Sequence, residues 1–151
     1  MKNYKEVKFI LSEIEPTVAM DEILTEGDLP NLNQILKEQE SWLAPRAVCA
    51  ISRFNTEHSK SILYELVNDP RMEIRVALAA CARTLPLDVS EKIISKLIED
   101  KEIGVRKFAF QSVLPNASPE LIKQLKKVYN KEKEPFLKEV LSKKIAEFEM
   151  G

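Results

Sequence analysis

Hydrophobic and polar positions alternate along this chain in two textures. In the first, apolar residues come in pairs one helical turn apart: Ile62, Leu63, Leu66 and Val67; then Ile93, Ile94, Leu97 and Ile98; then Leu121, Ile122, Leu125 and Val128. Leu32, Ile35 and Leu36 show the same spacing earlier. Apolar residues at i, i+3 and i+4 with charges between them predict amphipathic helices with one wet face. Start signals precede them. Thr56 is positioned as a cap, Asp88 and Glu91 as a capping box, and Ser118 as a cap followed by Pro119 at the first helical position. In the second texture, over about 43–54, 73–85, 104–114 and 135–148, small or apolar residues cover most of the helix circumference in the middle segments. "DPRMEIRVALAAC", residues 69–81, is the barest stretch. Such a helix has to be enclosed by neighbours, and Ala77, Ala79, Ala80 and Ala82 let their backbones come close.

A charge pattern runs in phase with these textures. Glu40 precedes Arg46 by six residues, Asp69 precedes Arg75, Asp100 precedes Arg106, and Glu132 precedes Lys138. The basic positions are 29, 31 and 32 residues apart. Internal repetition at 20 to 50 residues marks stacked helical units. An acid at each turn can cap the bare helix behind it and pair with the basic residue of its own or the next unit. Repeated four times, such pairs form a ladder. The chain therefore predicts an all-α solenoid of one domain: residues 1–27 as a degenerate N-terminal cap and 28–148 as four repeats. "YKEVKFILSEI" and "TVAMDEILTE" form the cap's hairpin, and "EGDLPN" the turn out of it.

Asp69-Pro70 followed by Ile74-Arg75 and alanines resembles the HEAT repeats, in particular the short variety of phycobilisome lyase subunits; "EDKEIGVRKFAFQSVL" (99–114) and "EKEPFLKEVLSKKI" (132–145) continue the resemblance. It spans about residues 28 to 148 and implies four to five antiparallel helical hairpins wound into a right-handed superhelix with a concave inner surface. Two residues depart from the family pattern. Gly104 falls in the first turn of an inner helix, and Pro45 stands where the family has a branched apolar residue.

Composition narrows this little further. The 151 residues are 44% hydrophobic and 31% charged with a net charge of −1, so no overall charge draws the chain to nucleic acid or acidic lipid. Charge is uneven, however: residues 1–40 hold four lysines against nine carboxylates, while 41–117 and 118–151 each come to +2. Cys49 and Cys81 lie inside apolar runs and are expected as buried free thiols in a reducing compartment, with a disulfide as the minor alternative. No apolar run approaches the roughly 20 residues of a membrane span, and the N-terminus lacks a signal-peptide pattern. A cytoplasmic protein is the expectation.

Catalytic signals are weak. His58, the single histidine, sits at a helix start, two cysteines and one histidine lack zinc-ligand spacing, and three glycines form no phosphate loop. No cofactor, metal or catalytic residue is expected. In the resembled family partners lie on the inner helices, so positions one and five past each basic residue should face the groove: Ala47 and Ile51, Val76 and Ala80, Lys107 and Gln111, Glu139 and Lys143. Eight positions on come Phe54, Arg83 and Leu114. Trp42 is the expected exposed anchor, since aromatic and arginine side chains concentrate binding energy. The expected function is a scaffold for a protein or peptide. Two alternatives follow from the resemblance: a DNA-binding protein of the alkylpurine-glycosylase type, using Arg46, Arg53, Arg71, Arg75, Arg83, Arg106 and Lys107, or a lyase-like accessory subunit.

Overall fold

The computed structural model describes residues 2–13, 23–38 and 42–150. Among them are nine α-helices and no strand: α1 (Tyr4–Glu13), α2 (Leu29–Lys37), α3 (Ala44–Ser52), α4 (Glu57–Glu65), α5 (Met72–Cys81), α6 (Leu87–Leu97), α7 (Ile103–Gln111), α8 (Pro119–Lys131) and α9 (Pro135–Met150). Most of "TVAMDEILTE", the expected second half of the N-terminal hairpin, lies outside the described residues, as does Glu40.

The helix starts show why these segments fold where they do. Thr56 and Ser59 close a reciprocal cap on α4: Ser59 N donates to Thr56 Oγ1 at 3.1 Å and Thr56 N donates to Ser59 Oγ at 3.1 Å. Ser118 Oγ accepts from Leu121 N at 3.2 Å at the start of α8. Pro30, Pro45, Pro119 and Pro135 all fall in the first turn of a helix, where no intrahelical partner awaits the missing N–H. Pro45 therefore costs α3 no hydrogen bond. The expected capping box of α6 is not formed. The helix begins at Leu87, so Asp88 lies inside its first turn, and Glu91 Oε2 instead accepts from Ser118 N at 2.8 Å, tying α6 to the start of α8. Before α2, the buried Asp28 carboxylate accepts from Thr25 N at 2.8 Å and pairs with Lys2 Nζ at 3.1 Å, fixing α1 to the turn.

Helix contacts run in two series. α3 packs on α5, α5 on α7 and α7 on α9; α4 packs on α6 and α6 on α8. Cross-contacts join the series at α3–α4, α5–α6, α6–α7 and α8–α9, and α1–α2–α3 lead in from the N-terminus. One continuous core results, including Leu32, Ile35, Val48, Leu63, Ile93, Ile94, Leu125 and Leu141. The bare sequence of α5 now has its reason. It contacts α3, α6, α7 and the short turn of helix at Leu66–Asn68, and from Ile74 to Ala82 no residue of it is exposed.

Two substitutions test this packing. Leu78 is fully buried at the centre of α5, so Leu78→Ala should lower unfolding free energy by about 3 kcal/mol in urea titrations. A Cβ on Gly104 would meet nothing closer than Val76 Cγ2 at 3.8 Å, and the backbone there is not left-handed. Gly104→Ala should therefore raise stability, by up to about 1 kcal/mol, by the same measurement.

Candidate functional site

The turns that lead into α5, α7 and α9 carry a repeated network. Arg75 grips Asp100 with two donors, Nε to Oδ2 at 2.8 Å and Nη2 to Oδ1 at 3.3 Å, while its third nitrogen, Nη1, donates to the carbonyl of Asp69 at 2.8 Å. Arg106 repeats the arrangement one unit on. Nε and Nη2 hold Glu132 at 2.8 and 3.0 Å, and Nη1 donates to the carbonyl of Asp100 at 3.0 Å. Each arginine thus binds the carbonyl of its own acid and the carboxylate of the next. A guanidinium suits this because its donors form a rigid fork.

The acids are also helix-starting devices. Asp69 Oδ1 accepts from Arg71 N at 2.9 Å, Asp100 Oδ1 from Glu102 N at 2.9 Å, and Glu132 Oε2 from the N–H groups of Lys133 and Glu134 at 3.0 and 3.2 Å. Burial pushes the Glu132 carboxyl up, but the Arg106 guanidinium and the two backbone donors outweigh it, so its pKa lies below the ordinary value. Asp69 is likewise held low, burial being outweighed by the side chain and N–H of Arg71.

The end members of the series differ. Asp69 is held by Arg71, Nε to Oδ1 at 3.0 Å and Nη2 to Oδ2 at 3.1 Å, and Arg71 Nη1 reaches the Glu38 carbonyl at 3.2 Å. Arg46 donates through Nη1 to the Leu11 carbonyl at 3.1 Å and lies 5.6 Å from the centroid of Trp42. Lys138 sits over the Tyr129 ring, 4.7 Å from its centroid. Glu40 is outside the described residues.

The positions expected to face a groove divide. Trp42 is 65% exposed, and Arg83 and Gln111 are exposed. Val76 and Lys107 are half-buried, with Lys107 Nζ 5.7 Å from the Phe108 centroid. Ile51 corrects the expectation: it is 0% exposed, as is Ala47, because α2, α4 and α5 all close over α3. Phe54 is half-buried against the core, and Phe110 is fully buried. Among the described residues no three His, Cys, Asp or Glu side chains converge as a metal site, and no helix is long and apolar enough to cross a membrane.

The two cysteines are free thiols, as expected, and they meet. Cys49 on α3 and Cys81 at the end of α5 are free thiols, half-buried, with sulfurs 2.6 Å apart. Their separation of 32 residues matches the 29-to-32-residue spacing of the basic positions, a signal in the sequence that could have placed them together. The Cys49 thiol is held below its ordinary value by the hydrogen bond from Cys81; burial opposes this, and Arg46 and Arg53 add to it. The Cys81 thiol is pushed up by that same hydrogen bond, by burial and by the charge on Cys49. No protein-family model and no curated protein matches this chain.

The network makes two predictions. Arg75 and Asp100 side chains are only 7% and 9% exposed, so Arg75→Met leaves a nearly buried carboxylate without its guanidinium and should cost about 3 kcal/mol in chemical denaturation. A carboxyl whose pKa is lower folded than unfolded contributes stability that is full above its ordinary value and lost as pH falls through the folded one. Unfolding free energy should therefore fall on acidification below about pH 4.5, the ordinary glutamate value, and Glu132→Gln should flatten that part of the pH profile.

Proposed function

We propose that this chain is a HEAT-like solenoid, α3, α5, α7 and α9 forming the inner row, and that it works as a non-enzymatic scaffold for a protein or peptide. The series of contacts from α3 through α9 supports the solenoid reading, since the main contacts of each hairpin are with its neighbours. In this reading the bidentate Arg75–Asp100 and Arg106–Glu132 pairs set the spacing between hairpins.

The observation that carries the binding role is Trp42. A tryptophan 65% exposed, with a guanidinium beside its ring, leaves a large apolar face in water at the entry to an inner helix. Trp and Arg are the side chains most enriched where interfaces concentrate their energy. Val76, Lys107 and Gln111 extend the candidate surface along the inner row, with Arg83 beyond them. The DNA reading is less favoured. Arg71, Arg75 and Arg106, three of the seven basic residues it would use, are already engaged by carboxylates.

Affinity capture followed by quantitative mass spectrometry tests the scaffold. Trp42→Ala should keep the melting temperature and weaken retention of a specific partner at least about tenfold. Retention equal to the wild-type chain would remove Trp42 from the interface. A complex with duplex DNA that dissolves steeply with salt would favour the nucleic-acid reading instead.

A further inference from the structure

Cys49 and Cys81 lie where chemistry between them needs almost no motion. Their sulfurs face each other 2.6 Å apart, closer than van der Waals contact, so the two are placed to bond. The helices that carry them, α3 and α5, are packed directly on each other. The orientation of Cys81 is not an accident of one side chain. It stands six residues after Arg75, and Ser112, six after Arg106, also turns back to the preceding helix of the series, donating to the Ala79 carbonyl at 2.6 Å. Neither residue is fully buried, which leaves a small reagent a path to the pair. Arg46 on α3 and Arg53 just past its end, about one turn to either side of Cys49, place positive charge beside its sulfur.

We propose that Cys49 and Cys81 form a reversible dithiol–disulfide pair oxidised by a small anionic disulfide of the glutathione type, with Cys49 as the attacking sulfur and Cys81 as the resolving one. Deprotonated Cys49 attacks one sulfur of the small disulfide. Its S–S bond breaks, one glutathione leaves as thiolate and takes up a proton, and the other remains joined to Cys49. Cys81 then gives up its proton and attacks the Cys49 sulfur, expelling the second glutathione. Two protein thiols and one glutathione disulfide become one protein disulfide and two glutathione thiols. The roles follow from the charges: Arg46 and Arg53 stand about one turn to either side of Cys49 and stabilise a thiolate there, which leaves Cys81 as the second sulfur to react. The carboxylates of glutathione complement the same arginines. Oxidation would staple α3 to α5 across one repeat, and reduction would release them.

The reduced full-length chain is incubated with oxidised glutathione, quenched by alkylation and measured by intact mass and non-reducing peptide mapping. The expected product is a monomer lighter by two hydrogens, with the Cys49 and Cys81 peptides joined, fully reversed by dithiothreitol. Its melting temperature should rise by about 5 °C, because a cross-link spanning one repeat restricts the unfolded chain. Cys81→Ser should stop at a glutathione adduct on Cys49, and Cys49→Ser should form its adduct at least about tenfold more slowly. Two thiols that stay fully alkylatable, a stable glutathione adduct on the wild-type chain, or a disulfide between chains would each overturn the proposal. The wild-type measurement decides it even if a variant folds poorly.

Discussion

A guanidinium clamped between two turns is the interaction on which the second half of this molecule depends. Arg75 and Arg106 each spend three nitrogens on two successive turns, one on a carbonyl and two on a carboxylate. Ion pairs this enclosed cost desolvation, and they stabilise only where their geometry is good and their remaining lone pairs are met. Both conditions hold here: the carboxylates also accept backbone N–H groups at the starts of α7 and α9. One acid therefore starts a helix and anchors the previous one. Helix position and helix start cannot drift independently.

The packing of α5 is the apolar counterpart. With α3 on one side, α7 on the other and α6 against it, the helix past Arg75 has little free side for long polar residues. Alanines at 77, 79, 80 and 82 meet that demand by bringing backbones together. The neighbouring helices of the other series, with one charged face each, need no such economy. Glu91 and Gln124 act across that series instead: Glu91 takes the Ser118 N–H and Gln124 Nε2 donates to the Ser95 carbonyl at 2.7 Å.

Much of this was legible in the chain. Helix existence followed from apolar period, and the caps at Thr56 and Ser118 from local chemistry that acts within four residues. Asp88 and Glu91 show where local reasoning stops. Both patterns suit a capping box, but Pro86 and Leu87 start the helix earlier and Glu91 finds a partner 27 residues away. Ile51 failed for a related reason. Counting from Arg46 picks a helix face but not what covers it, and α2, α4 and α5 all pack on α3 and leave Ile51 fully buried. The acid–arginine period was visible, but which turn each arginine would serve was not, since own and next acids both lie within reach of a long side chain. The free state of the two cysteines was expected; their direct contact was not, because it depends on which faces of α3 and α5 meet.

The lysine at position 138 has a consequence for anyone wishing to lengthen the molecule. A single ammonium on a flexible stem rests on the Tyr129 ring, and it cannot span a carbonyl and a carboxylate in one plane as the guanidinium of Arg106 does. In the proposed solenoid, an extra hairpin grafted beyond α9 would find no socket waiting for its turn. Supplying one means installing arginine at 138 together with a carboxylate in the incoming segment, and the register of the graft would then be dictated by that single junction.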